Sequence, residues 1–190
     1  SMTRWRSRIG PGDLEALLAE TITVAVKTKA VSHRQLERIT VDTTVQTKAI
    51  AHPPDSHLIL RAIEWLNRAA KHHGVKLRQS FIRLATHARR EVSRLLNTGG
   101  HKQGLRHLRK MRTWLGRLIR DIQRKIAGKS DLEAAFKVAQ ERAEKILGQQ
   151  ASDKNKLYAL HAPEVECIGK GKARTKYEFG VKTSFATTNE

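Results

Sequence analysis

Two sets of residues in this chain could do chemistry. The first is a single carboxylate, Asp42, set in the β-branched run Ile39-Thr40-Val41-Asp42-Thr43-Thr44-Val45-Gln46. Val, Ile and Thr pack well on a pleated surface and fit helices poorly, so the run predicts a buried strand. A carboxylate in such a strand must be hydrogen-bonded, ion-paired or bound to a metal. Asp42 therefore has two readings, a structural acid satisfied near a strand end or a ligand for a hard divalent cation. The second set is cationic. Arg106, Arg109, Lys110, Arg117, Arg120 and Arg124 recur at helical spacing, with Arg83 and Arg90 on the segment before them. At about 100° per residue the six fall opposite Leu105, Leu108, Met111, Leu115, Leu118, Ile119, Ile122 and Ile126. Only Asp121 interrupts them. A solvated face normally intersperses acids for i,i+4 pairing, so this pattern points to contact with phosphates.

The composition agrees. In 190 residues, 37 Lys and Arg face 18 Asp and Glu, and a net charge of +19 exceeds what solubility needs, so a polyanion is the expected partner. A hydrophobic content of 39% supports a packed core. No run approaches a membrane span and no signal-peptide core is evident, which predicts a cytoplasmic protein with no membrane partner. The single cysteine, Cys167, rules out an internal disulfide and a cysteine-based zinc cluster, and nine His residues follow no ligand spacing.

The elements that must position these residues can be read in order. Asp13 stands where an N-cap should, ahead of Leu14, Leu17, Leu18 and Ile22, and predicts a helix from about Leu14 to Lys29. Ser32 to Gln35 forms a turn or short helix before the strand, which His52-Pro53-Pro54 ends. From Asp55 the pattern is helical: a helix capped by Asp55 or Ser56 and ending at Gly74, a second from Lys76 to about Asn97, and the basic one from about Lys102 to Ala127. A fourth, opened by a capping box at Ser130-Asp131-Leu132-Glu133, reaches about Gln149. Short Gly-containing turns make these a bundle or two helical hairpins. Glu166 to Gly171 and Tyr177 to Thr187 then predict a strand pair, the second alternating Tyr177, Phe179 and Val181 with Glu178 and Lys182. Between them Gly171-Lys172-Ala173-Arg174 reads as a basic turn; no helix follows the glycines, which argues against a phosphate-binding loop. The fold class is helix-dominated α+β.

Three pieces, in order, resemble insertion-sequence transposases of the DDE class. They are Val41 to Gln46 with Lys48-Ala49-Ile50, then His52-Pro53-Pro54-Asp55-Ser56, and Asp153 to Lys172 running into Lys176-Tyr177-Glu178-Phe179-Gly180-Val181-Lys182. The basic helical segment containing Lys76-Leu77-Arg78-Gln79-Ser80 is similar to what that class carries between them. The resemblance implies a partial ribonuclease-H-like sheet, one strand plus a C-terminal hairpin, with a large four-helix insertion. It implies residues 1–51 as N-terminal helix and first catalytic-core strand, 52–150 as the basic insertion, and 151–190 as the core hairpin. Asp42 matches the first catalytic acid and metal ligand. Two Mg²⁺ or Mn²⁺ ions, held by three acids in the full-length enzyme, would support phosphodiester hydrolysis and strand transfer. The second and third acids of that class lie beyond the hairpin, so the chain reads as a portion truncated before them, inactive alone and binding metal weakly. Glu164, Glu166 and Glu178 fall on the hairpin and its approach and do not match catalytic positions. The implied partners are insertion-sequence DNA ends, with a homodimer through exposed strand edges, and the implied location is the bacterial nucleoid. The other reading is a free-standing basic helical nucleic-acid-binding protein with no catalysis, in which Asp42 is structural.

Overall fold

The computed structural model describes residues 10–37, 39–48, 50, 54–150, 152–169 and 176–188; the His52-Pro53 stop and the basic turn at Gly171 to Arg174 lie outside them. In chain order the elements are α1 (Pro11–Lys27), α2 (His33–Leu36), β1 (Ile39–Thr47), α3 (Asp55–His72), α4 (Ile82–Asn97), α5 (His101–Ile126), α6 (Ser130–Gly148), β2 (Glu166–Gly169) and β3 (Tyr177–Thr188). Helix dominates, beside a small three-stranded antiparallel sheet of order β1-β3-β2. The chain divides into two compact units, residues 45–181 and residues 1–44 with 182–190.

The larger unit is built on apolar stripes. Ile59, Ile63 and Leu66 of α3, Ala85, Ala88 and Val92 of α4, and Phe136, Ala139, Ala143 and Ile146 of α6 share a core with α5. From α5 come Met111, Leu115, Leu118, Ile119, Ile122 and Ile126, all buried, with Leu108 half-buried and Leu105 exposed at the N-terminal end. Helices α3 and α5 form the common seam, each packing on the other and on both α4 and α6. Gly116 of α5 is buried where α5 and α6 pack, and a Cβ there would stand 3.4 Å from Leu147, ordinary contact distance. Arg112 clips the ends together, its guanidinium donating to the Asp55 carboxylate and to the Gln149 carbonyl, both at 3.1 Å. The buried Gln149 side chain then bonds both backbone groups of Leu157, as a neighbouring strand would, and anchors the following segment.

Helix ends depart from the sequence reading, each for a local reason. Helix α1 starts at Pro11, whose fixed φ suits a first turn; Gly10 is the N-cap and Asp13 is the third helical residue, accepting from the Gly10 N–H at 2.9 Å. Likewise the N-cap position of α3 is Pro54, with no side-chain cap, and Asp55 is the first helical residue, its carboxylate engaged with Arg112. The Ser130 capping box does not form: Lys129 is the N-cap, and Glu133 accepts from the Gly128 N–H at 2.9 Å. Residues 76–80, expected in a helix, are irregular, and α4 begins only at Ile82. Two long-range bonds hold that loop out of helix, from Arg78 N–H to the Asp121 carboxylate and from the Asn67 amide to the Ser80 carbonyl. Phe81 takes a left-handed conformation at φ 58°, and its ring is buried and stacked on Trp114 with centroids 6.3 Å apart.

In the smaller unit α1 keeps its apolar periodicity, yet Leu14, Leu17, Leu18, Ile22 and Val24 are exposed. Strand β1 was expected to be buried and is not. Thr40, Val41, Asp42 and Thr43 are exposed, Val41 at 59%, and Thr44 and Val45 are half-covered. The reason is its place at the edge of the sheet, with β3 central. β2 and β3 pair antiparallel with Cys167 opposite Phe179 and Glu166 opposite Gly180. The expected alternation along β3 is also incomplete, since Tyr177 is exposed while Phe179 and Val181 are half-buried.

Gly180 allows β1 to lie against β3. A Cβ there would overlap the Gln46 carbonyl and stand 2.9 Å from Val45 Cγ1, whereas at Gly169 the nearest atom is 4.0 Å away. Backbone cannot yield as a flexible side chain can, so Gly180→Ala should cost about 1–3 kcal/mol. It should also speed hydrogen exchange at the Lys48 amide, which donates to the Phe179 carbonyl at 3.2 Å. Gly169→Ala should leave that amide unchanged.

Candidate nucleic-acid interface

Burial of one side of α5 decides where its cations go. With the apolar arc in the core, Arg106, Arg109, Lys110, Arg117, Arg120 and Arg124 are all exposed. Among the described residues, Arg106, Arg109, Lys110, Arg117 and Arg120 enter no ion pair, so their charge is uncompensated. Arg83 and Arg90 are exposed on α4 and line neither of the two grooves along α5. The first groove, at the N-terminal half, is lined by Gln103, Arg106, His107, Arg109 and Lys110, with a volume of 450 Å³ and no acid.

The second, of 420 Å³, brings Arg117, Arg120 and Arg124 together with Arg78, Gln79 and Phe81 from the loop before α4. Among the described residues its only acidic lining residue is Asp121, whose side chain is 14% exposed. The Asp121 carboxylate accepts from the Arg78 N–H at 3.0 Å and from Lys125 Nζ at 2.7 Å, and Arg124 stands 3.7 Å away. Burial pushes its pKa up, but the Arg78 N–H, Lys125 and Arg124 outweigh that and hold the carboxyl below its usual 3.8. One carboxylate therefore ties the loop to α5 and leaves the groove strongly positive. Sequence reasoning placed Arg78 and Gln79 on a helix and missed them, because the Arg78–Asp121 bond joins residues 43 apart and leaves no local pattern.

Asp42 stands apart from this surface in character. It is exposed, and its Oδ1 accepts from the Thr43 N–H at 2.8 Å. Among the described residues, no group of three His, Cys, Asp or Glu side chains is gathered as a metal site. Asp42 with the described residues therefore does not fit a two-cation centre, which needs several carboxylates. Of the hairpin acids, Glu164 is ion-paired with Lys48, and its carboxyl is held below the ordinary range, first by that hydrogen bond.

No family model matches the chain, and no solved structure does. A curated relative, the "Uncharacterized protein ORF8 in nfe locus" of Rhizobium meliloti, is 54% identical over 88 residues. The match covers 46% of this chain and 42% of that protein. No helix among the described residues is long and apolar enough to cross a membrane.

Because the Asp121 pKa is depressed on folding, its contribution is complete above the unfolded value and is lost as pH falls through the folded one. Asp121→Asn should cost about 1–3 kcal/mol at neutral pH in urea unfolding, since bonds to a charged group are removed. As pH drops below about 3.8 the gap to the parent should close. An unchanged gap at pH 7 and in acid would show that the charge is irrelevant to the loop.

Proposed function

We propose that this chain binds DNA through the basic face of α5 and belongs to the DNA-holding part of an insertion-sequence transposase of the DDE class. The observation that carries the DNA-binding reading is the exposed, almost acid-free row of cations on α5, extended by Arg78. Each phosphate such a cation meets releases condensed counterions, and this term dominates binding of basic surfaces to nucleic acid. Support for the transposase reading is the ordered series of motifs and the pairing of the Asp42 strand with a C-terminal hairpin, in the manner of a partial ribonuclease-H-like sheet. In this reading Asp42 is the first of three acids, and no catalytic step is assigned to the described residues. Homodimerisation belongs to the same reading, through the uncovered edge of β1 and the apolar face of α1. A free-standing nucleic-acid-binding protein without catalysis is favoured by one observation, the exposure of Asp42 with only a local hydrogen bond.

The test is the salt dependence of duplex binding. Changing Arg106, Arg117 and Arg124 together to Gln should reduce the slope of log K against log salt by roughly three units. Asp42→Asn should leave affinity and slope alone. An unchanged slope in the triple variant would remove α5 from the interface.

Activity separates the two readings of Asp42. The purified chain incubated with supercoiled plasmid and Mn²⁺ should neither nick nor join DNA. Nicking that disappears in Asp42→Asn would show that this chain assembles a working site, with Glu164, Glu166 and Glu178 the acids to examine next.

A further inference from the structure

A second cationic surface in the larger unit differs in kind from the α5 face. Residues His57, Arg61, Trp65 and Arg68 recur on one stripe of α3 and, with Arg142 of α6 and the segment 158–161, line a cleft of 500 Å³. That volume is within the range of pockets that enclose small ligands. Trp65, Tyr158, Leu58 and Leu160 give it an apolar wall, and among the described residues no carboxylate lines it. Arg142 lies 5.7 Å over the Trp65 ring and donates to the Leu160 carbonyl, so its guanidinium is fixed against the aromatic wall. Arg61 is partly engaged, by Glu64 at 2.8 Å and by His57 Nε2 at 3.3 Å; Arg68 enters no ion pair among the described residues and is exposed. His57 is held below its ordinary pKa by burial and then by the charges of Arg61 and Arg89, consistent with a positive surround.

Phosphate backbone alone needs only cations, which α5 supplies in a long row. An apolar, partly aromatic wall beside guanidinium groups fits a ligand with both a ring and an anion. We propose that this cleft takes one unstacked 5′-phosphorylated nucleotide, its base against the Trp65 and Tyr158 wall and its phosphate on Arg61 and Arg68. Resting on the DNA-binding reading, the cleft would hold a frayed or single-stranded strand end while α5 grips the adjoining duplex. A free mononucleotide carries the same chemistry and is separated by the test.

Binding would be compared for a blunt 20-bp duplex, the same duplex with a three-nucleotide 5′-phosphorylated overhang, and thymidine 5′-monophosphate, at one salt concentration. The overhang should bind roughly ten-fold tighter than the blunt duplex, the scale of one stacked base. The double variant Arg61→Gln with Arg68→Gln, both exposed and outside the core, should lose that preference while keeping most of its blunt-duplex affinity. Trp65→Leu should lose it too, with circular dichroism confirming the fold. Equal binding of blunt and overhanging duplex by the parent, or a preference that survives in the double variant, would overturn the proposal. Should the parent bind no duplex, the α5 reading fails by itself. Saturable quenching of tryptophan fluorescence by thymidine 5′-monophosphate, absent in both the double variant and Trp65→Leu, would then support the cleft as a mononucleotide site, and no quenching, or quenching that persists in those variants, would overturn it.

Discussion

The apolar arc of α5 is the constraint on which the larger unit depends. Met111, Leu115, Leu118 and Ile122 are fully enclosed, and they belong to one core cluster with residues from all three neighbouring helices. Burying side chains of this size contributes about 1.5–3 kcal/mol each, more than any surface interaction on the same helix. Once that arc is fixed inward, helical geometry leaves Arg106, Arg109, Lys110, Arg117, Arg120 and Arg124 on the exposed side. The basic face is thus a consequence of packing, carried on a helix whose other side is buried.

Rigid display of like charges has a cost, and Asp121 shows how it is limited. A lone acid among Arg117, Arg120 and Arg124 lowers local repulsion, yet its own bonds go to Lys125 and to the Arg78 backbone. The loop before α4 is drawn onto α5 by this carboxylate, and Phe81 accepts a left-handed backbone to bury its ring beside Trp114. Structural pinning and surface charge therefore share one residue. Pre-formed grooves of this kind need little ordering when an anion arrives, which favours binding without a large entropic penalty.

The smaller unit presents the contrary case, in which apolar and strand-forming residues remain uncovered. Leu18 is 62% exposed on α1, and β1 is an edge strand among the described residues. Natural proteins usually blunt such edges or cover them with another chain. In the proposed reading, a second copy of the chain is the covering surface.

Much of this was determined by the sequence alone. The helix-dominated α+β class, the four helices of the larger unit, the strand at Ile39 and the two strands of the tail follow from periodicity and turn residues, which are local properties. So does the division of α5 into apolar and basic sides. Only tertiary structure decided which groups meet. The Arg78–Asp121 bond, the Gln149 link to Leu157, the Arg112 clip and the cleft between Trp65 and Tyr158 join residues distant in sequence or set by loops. The exposure of Asp42 was equally out of reach, since β-branched residues favour a pleated backbone whether the strand is central or at an edge. Residue type selects the strand; its neighbours select the environment, and they are chosen by the packing of the whole chain.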